Sequence, residues 1–232
     1  MARRLTPPPD SGDGTPAEIQ LGSGSQRASI RSTGATLRSY ESHGRELLDG
    51  FGRHGWSEDG RGQLLLPWPN RIRGGRYRFA GHSHQLPISE VGRNNAIHGL
   101  VRWVTWQVEE AEPERARLSV ELSPQPGYPF WMRFEAEYQL TMRGLEVTLA
   151  AHNLGRRPAP FGAGAHPYLR LAGHRVDDLH LRLPAGRHLT ADSQGIPTGE
   201  AEVEGTEYDF RDGRRIGPVV LDTCFTDLPR EG

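Results

Sequence analysis

The feature that most constrains the fold is a strict alternation of apolar and polar side chains over Met132–Leu140. Its even-numbered positions are apolar and its odd-numbered positions are polar or charged. Successive side chains of a strand point to opposite faces of a sheet, so this pattern predicts a strand with one buried face. Residues 141–144 predict a turn, and residues 145–151 alternate again. The two runs together predict a β-hairpin with one face in water.

Shorter alternating runs occur at residues 106–108 and 118–122, and Gly or Pro separates almost every run from the next. No amphipathic helical pattern extends beyond two turns, and no repeat of fixed period indicates a propeller. We therefore predict an all-β fold, a large antiparallel β-sandwich. Residues 50–75 and 184–215 alternate poorly, and we predict that they are long loops of the kind that often carry functional sites.

The N-terminal residues 1–17 combine Pro, Gly, Ser and Asp with few apolar side chains. This composition is typical of a disordered tail. At 232 residues, the chain is of a size at which all-β proteins often form one domain. We predict a single domain over residues 18–232.

The composition excludes several function classes. A net charge of −1 provides no field that would attract nucleic acid or an anionic membrane. All 28 basic residues are arginine, so the chain has no lysine for a Schiff base, for pyridoxal phosphate or for a P-loop. Cys224 is the single cysteine, which excludes an intrachain disulfide and a thiolate zinc cluster. We predict a cytoplasmic protein, with no signal peptide or membrane span.

Two histidines lie in turn-forming surroundings. His98 follows an apolar pair and precedes Gly99, a context that also suits a histidine with a purely structural hydrogen bond. His166 follows the small-residue run 162–165, which allows close approach of the backbone, and Pro167 restricts it to an extended conformation. Histidine exchanges a proton near neutral pH, so both are candidates for acid–base chemistry.

An arginine and an acid are further candidates for ligand binding. Arg71 follows a Pro-rich segment in which Trp68 offers a flat apolar face, and a guanidinium donates paired hydrogen bonds to vicinal hydroxyls. The alternative is that Arg71 only solvates a loop. Asp222 lies inside the apolar run 219–225, where a buried carboxylate needs either a ligand hydroxyl or an arginine as partner.

His82 and His84 have the spacing of metal ligands on one face of a strand. The glycine before them and the polar residues after them are more typical of the tip of a hairpin. We therefore predict no metal site there, and neither a metal nor another cofactor for the chain.

Four segments, taken in order, resemble the aldose 1-epimerase (galactose mutarotase) family: Pro69–Ile72, Asn95–Gly99, Gly164–Tyr168 and Leu221–Phe225. The resemblance runs from about Ile19 to the end of the chain. Members of that family adopt a large antiparallel β-sandwich and interconvert the α and β anomers of free hexoses without a cofactor or metal. The resemblance thus implies a small-molecule sugar as partner, with no nucleic acid and no membrane.

The resemblance also implies roles for individual residues. His166 would be the general acid that protonates the ring oxygen, and His98 would hydrogen-bond the same region and stabilise the opening ring. Ring opening needs a proton at that oxygen while another leaves the anomeric hydroxyl. The predicted substrate-binding residues are Arg71, Asp222, Asn70, Trp68 and Tyr168.

The chain departs from the family pattern at two places. Leu100 follows Gly99 where the family motif continues with a further glycine, which leaves the substrate open. The general base of the family is a glutamate beyond the aspartate motif, and this chain has no counterpart before its last residue, Gly232. We expect the last strands of the sandwich to be missing and the chain to have little or no mutarotase activity.

Two alternatives remain open from the sequence. One is a hexose-6-phosphate 1-epimerase, which would need several arginines around a phosphate, with Arg73, Arg76 and Arg93 as candidates. The other is a non-catalytic carbohydrate-binding β-sandwich. The sequence identifies neither the sugar nor the oligomeric state.

Overall fold

A computed structural model describes residues 17–171 and 173–229. The predicted disordered tail over residues 1–17 therefore lies outside the described residues, except for Ala17. The described residues form two compact units. The units comprise residues 17–89 with 96–171, and residues 90–95 with 173–229. The single domain predicted from the sequence stays a prediction.

Strands dominate both units. In chain order the strands of the described residues are β1 (Glu18–Ser23), β2 (Gln26–Arg31), β3 (Thr36–Ser42), β4 (Arg45–Glu46), β5 (Leu64–Leu65), β6 (Arg71–Arg73), β7 (Arg76–Phe79), β8 (His82–Gln85), β9 (Asn95–Ile97), β10 (Gln107–Ala111), β11 (Arg115–Leu122), β12 (Met132–Thr141), β13 (Gly144–Asn153), β14 (Gly164–Ala165), β15 (His180–Leu181), β16 (Arg187–Ala191), β17 (Pro197–Glu202), β18 (Arg214–Arg215) and β19 (Phe225–Thr226). The helices of this part are short 3₁₀ helices at Glu58–Gly60, Val91–Arg93 and Val176–Asp178. None of them is long or apolar enough to cross a membrane.

Two four-stranded antiparallel sheets form a sandwich in the first unit. Their strand orders are β1-β2-β3-β4 and β10-β11-β12-β13, and β1 packs against β11 and β12. The core between the sheets includes Ile30, Leu118 and Phe134, all of them fully buried. Burying each such side chain contributes roughly 1.5–3 kcal/mol. The predicted all-β fold, an antiparallel β-sandwich, is confirmed.

The alternating run predicted from the sequence is the central part of β12. Every second residue from Met132 to Leu140 is buried, and those between are half-buried. The register with β13 leaves Met142 and Arg143 as a two-residue turn, as expected. β13 alternates less clearly, and Val147 is 41% exposed, because this strand lies at the end of its sheet in the described structure.

A buried tyrosine joins the two sheets. The Tyr138 hydroxyl of β12 donates a hydrogen bond of 2.5 Å to the carbonyl of Ala35, which lies between β2 and β3. Burial raises the pKa of the Tyr138 hydroxyl, because a phenolate loses its hydration in the core.

Short ladders position the segments that carry the candidate residues of the first unit. β5 pairs with β14, β6 with β9 and β7 with β8. Residues 50–75 are otherwise mostly irregular, which agrees with the predicted loop.

The second unit is built around β16, which pairs with β17 and β19, and β15 pairs with β18. The prediction that residues 184–215 form a loop is wrong, because β16 and β17 make an antiparallel hairpin in that segment. Most residues of both strands are half-buried or exposed. A hairpin with so few buried positions shows no apolar alternation in its sequence.

Candidate functional site

The main chain of His166 is held against the loop that contains β5. His166 follows β14 directly, and its N–H donates to the Gln63 carbonyl at 3.0 Å. Its own carbonyl accepts the N–H of Gly62 at 2.9 Å. The antiparallel β5–β14 ladder thus continues through His166 and fixes where its side chain begins.

Close backbone packing beside His166 requires small residues, as the sequence predicted. A Cβ on Gly164 would lie 3.0 Å from the Cβ of Pro69. The Gly162 N–H donates to the Pro67 carbonyl at 2.7 Å. These contacts bring the segment before His166 against the Pro-rich segment before Arg71.

His98 and Asn70 form a reciprocal pair. The Asn70 backbone N–H donates to His98 Nδ1 at 3.0 Å, and the His98 backbone N–H donates to the Asn70 carbonyl at 2.9 Å. Both residues have positive φ, 59° at Asn70 and 62° at His98, in the left-handed region that few side chains adopt. Such backbone conformations cost free energy and occur preferentially at functional sites.

The hydrogen bond from Asn70 also sets the tautomer of His98. Because Nδ1 accepts an N–H, a neutral imidazole must carry its proton on Nε2. His98 therefore presents an N–H donor at the other edge of its ring. Such a donor suits an oxygen of a ligand.

The two histidines that the sequence singled out come together. The ring centroids of His98 and His166 are 5.3 Å apart in an edge-to-face arrangement. Tyr168 stacks on His166 with its centroid also 5.3 Å away and its plane inclined by 23°. All three side chains are half-buried, so the pair is supported by packing and still accessible to a small molecule.

Arg71 and Trp68 lie in the segment that the Asn70–His98 pair anchors. Arg71 is half-buried in β6, and its Nη1 donates to Asn70 Oδ1 at 3.2 Å. Trp68 is half-buried and packs against the core of the first unit. Its buried Nε1 has no hydrogen-bond partner among the described residues.

Asp222 belongs to the second unit, and the sequence-based expectation of a buried acid is wrong. Its side chain is 74% exposed and lies 3.8 Å from Nη1 of Arg93. Of this apolar run only Phe225 is in a strand, and Val220 is 79% exposed. The sequence offered a ligand hydroxyl or an arginine as the partner of Asp222, and in the structure this partner is Arg93.

The arginines of the phosphate hypothesis are not all in one unit. Arg73 and Arg76 lie in the first unit and Arg93 in the second. Both Arg73 and Arg76 are exposed, and Arg76 Nε donates to Gln85 at 2.9 Å.

His82 and His84 lie on β8, directly after the turn of the β7–β8 hairpin. His84 stacks on Tyr77 with centroids 4.9 Å apart, and His82 is exposed. No group of three potential metal-ligating side chains occurs among the residues that the structure describes.

The sequence did not single out Arg61. Its guanidinium carbon lies 4.7 Å from the centroid of the Tyr168 ring. Arg61 stands between Gly60 and Gly62, both with positive φ. The one signal for it in the sequence was its place in the long loop over residues 50–75, where sites are common.

A second arginine supports the backbone behind His166. Arg102 Nη1 donates to Gln63 Oε1 at 3.1 Å, and Gln63 is the residue whose carbonyl accepts the His166 N–H. Burial lowers the pKa of Arg102, and the amide oxygen of Gln63 compensates part of its lost hydration.

Comparison with known proteins identifies the family of the chain. The family model for aldose 1-epimerase matches residues 17–231. The chain is 34% identical over 208 residues to the uncharacterized protein YihR of Escherichia coli (strain K12), covering 89% of this chain and 68% of YihR.

Solved structures resemble the chain in fold. The galactose 1-epimerase of Lactobacillus acidophilus NCFM has a TM-score of 0.77 and 26% identity, with 93% of this chain and 66% of that chain covered. The GalM/aldose epimerase homologue from C. elegans has a TM-score of 0.76 and 22% identity, with 87% of this chain and 66% of that chain covered. The chain thus spans about two thirds of the length of these proteins. On the match to the family model, the chain belongs to the aldose 1-epimerase family.

Proposed function

We propose that the chain acts on a free hexose and interconverts its α and β anomers by acid–base opening and closing of the ring. The observation that carries this proposal is the edge-to-face pair of His98 and His166, 5.3 Å apart. One of the two imidazoles has its tautomer set by a backbone hydrogen bond. Membership of the aldose 1-epimerase family supports the same chemistry.

In the proposed reaction, His166 gives a proton to the ring oxygen as the bond from that oxygen to C1 breaks. His98 donates a hydrogen bond from Nε2–H to the same oxygen. The proton of the anomeric hydroxyl leaves to a base, and C1 becomes the carbonyl carbon of the open-chain aldehyde. Rotation about C1–C2 and the reverse proton transfers close the ring from the other face. Positioned acids and bases of this kind contribute typically about 10²–10⁴-fold in rate.

The substrate-binding part of the proposal comes from Arg71, Asn70, Trp68 and Tyr168. The guanidinium of Arg71 suits paired hydrogen bonds to neighbouring hydroxyls. The rings of Tyr168 and Trp68 suit the apolar faces of a sugar.

The general base has no assigned residue in this chain. The family resemblance implies a glutamate in this role. We expect added acetate to raise the rate, since a small carboxylate can accept the proton of the anomeric hydroxyl.

The test is polarimetry on freshly dissolved α-D-glucose and α-D-galactose, with and without acetate, after subtraction of the rate without protein. We expect His166→Gln to remove at least about 10²-fold of the catalysed rate. The matched control is His152→Gln, which changes an exposed histidine of β13.

The outcomes separate this proposal from its alternatives. Retention of the rate in His166→Gln, or the same loss in His152→Gln, would contradict the acid role. Protection from thermal unfolding by glucose 6-phosphate alone would favour the phosphate-specific epimerase. Sugar binding without turnover, unaffected by His166→Gln, would favour the non-catalytic binding protein.

A further inference from the structure

We propose that Arg61 is a positioning residue for His166 and that it acts through the ring of Tyr168. The inference deepens the proposed function, because it rests on the acid role of His166. The guanidinium of Arg61 lies over the ring of Tyr168, which in turn stacks on His166, and we call this arrangement the Arg61 stack.

Two distances define the Arg61 stack. The guanidinium carbon of Arg61 is 4.7 Å from the centroid of Tyr168, within the distance at which a cation is attracted to an aromatic face. The Tyr168 ring lies nearly parallel to the His166 ring, with centroids 5.3 Å apart. A side chain that fixes the Tyr168 ring therefore restricts the orientation of the His166 ring beside it.

Arg61 is itself held from several sides. Its Nε lies 3.3 Å from Asp49 Oδ2, and its Nη1 lies 3.6 Å from Asp59 Oδ2. Its carbonyl accepts the hydroxyl of Ser57 at 2.8 Å. The side chain is 24% exposed, so its charge is partly desolvated. A planar guanidinium can serve both carboxylates and still lie over a ring, which an ammonium does less well.

Two further groups lie beside the His166 ring. A Cβ on Gly60 would lie 3.7 Å from His166 Cγ, which places the backbone of Gly60 beside the imidazole. The His98 ring contacts the His166 ring in the edge-to-face arrangement described above. Together with the Arg61 stack, these contacts leave the imidazole few alternative orientations. Catalysis depends on such orientation, and small misplacements of a reacting group are costly.

The test combines NMR of the imidazole groups with anomer-exchange kinetics. In Arg61→Gln we expect the imidazole proton signals of His166 to move downfield, because the shielding face of Tyr168 is no longer held over them. These signals are identified by their loss in His166→Gln. We expect kcat to fall about tenfold with little change in KM, and Arg61→Lys to restore part of both effects.

The matched control is Arg170→Gln. Arg170 also pairs with Asp49, with Nη1 3.7 Å from Oδ1, but it is not the cation over Tyr168. We expect it to leave the His166 signals unchanged. A double-mutant cycle with Tyr168→Leu gives a further measurement: once the ring is gone, Arg61→Gln should have little additional effect on those signals.

Unchanged His166 signals in Arg61→Gln, or the same change in Arg170→Gln, would overturn the proposal. Additive effects in the cycle would also overturn it. The NMR measurements need no substrate and no turnover. A failure of the proposed function is therefore distinguishable from a failure of the Arg61 stack.

Discussion

Three neighbouring residues with positive φ carry much of the candidate site. Asn70 and His98 are joined through their backbones, and Gly99 follows with a φ of 76°. A Cβ on Gly99 would lie 1.9 Å from the carbonyl oxygen of Leu66, well inside any tolerated contact. The close approach of the His98 segment to the Pro-rich segment therefore requires a residue without a side chain at position 99, which is Gly99.

Gly99→Ala is expected to lower the free energy of unfolding by about 2–4 kcal/mol, because it combines backbone strain with a clash against a carbonyl. Urea denaturation measures this change. The control is Gly74→Ala, which has a similar φ of 57° and no atom within 4 Å of the added Cβ. Its expected cost is about 1–2 kcal/mol, the strain of a left-handed residue alone. Equal costs for the two variants would contradict the steric argument.

At the scale of residues, the sequence indicated His98 and His166 through the turn-forming residues around them, and Tyr168 through the family resemblance. The structure brings these three rings together. The sequence could not indicate Arg61, because a cation over a ring joins residues far apart in the chain. It also gave no sign that Asp222 is exposed, since an apolar run outside regular structure resembles a buried strand.

At the scale of elements, Tyr138 couples β12 to the β2–β3 connection through its buried hydroxyl. Its pKa is raised in the folded state, so the folded chain holds this proton more tightly than the unfolded chain does. The stabilisation is fully present below the ordinary tyrosine pKa of 10.0 and is lost as the pH rises above it.

Urea denaturation between pH 8 and about pH 11 tests this coupling. We expect Tyr138→Phe to lower the free energy of unfolding by about 1–2 kcal/mol at pH 8, where the Ala35 carbonyl loses its donor. We also expect the variant to lose less stability than the parent above about pH 10. Phe134→Leu is the control, since it perturbs the same core without removing an ionisable group. A parallel pH dependence in parent and Tyr138→Phe would contradict the prediction.

The sequence predicted elements well where one face is buried and poorly where neither is. β12 has one buried face and one half-buried face, so the sequence itself shows the alternation of apolar and polar residues. β16 and β17 are mostly exposed or half-buried, and backbone pairing rather than burial defines them. Alternation of apolar and polar residues shows which side chains are buried. It therefore predicts a strand only where one face of that strand is buried.

At the scale of the whole molecule, the two units differ in how much apolar surface each removes from water. The sandwich core of the first unit draws on most of its strands. In the second unit the buried apolar residues of the described part are Ala185, Val203 and Phe210. Local stability follows buried apolar contact, so the second unit should open more readily.

Hydrogen exchange measured by mass spectrometry tests this difference. We expect the amides of β11 and β12 to exchange more slowly than those of β16 and β17. The paired amides of both hairpins are hydrogen-bonded. A difference in their exchange rates therefore measures how readily each unit opens, not whether its strands are paired. Equal protection of the two hairpins would show that the units unfold as one cooperative body.

Main-chain hydrogen bonds tie the backbone of His166 to its neighbours. The contacts from Gln63 and Gly62 to His166 use main-chain atoms alone, and the contact from Asn70 to His98 uses its amide. A main-chain N–H or carbonyl does not depend on the identity of its side chain, so substitutions that keep the backbone conformation leave these contacts in place. Low sequence identity among proteins of this shape is therefore compatible with an unchanged arrangement of histidines, provided that the tight glycines persist.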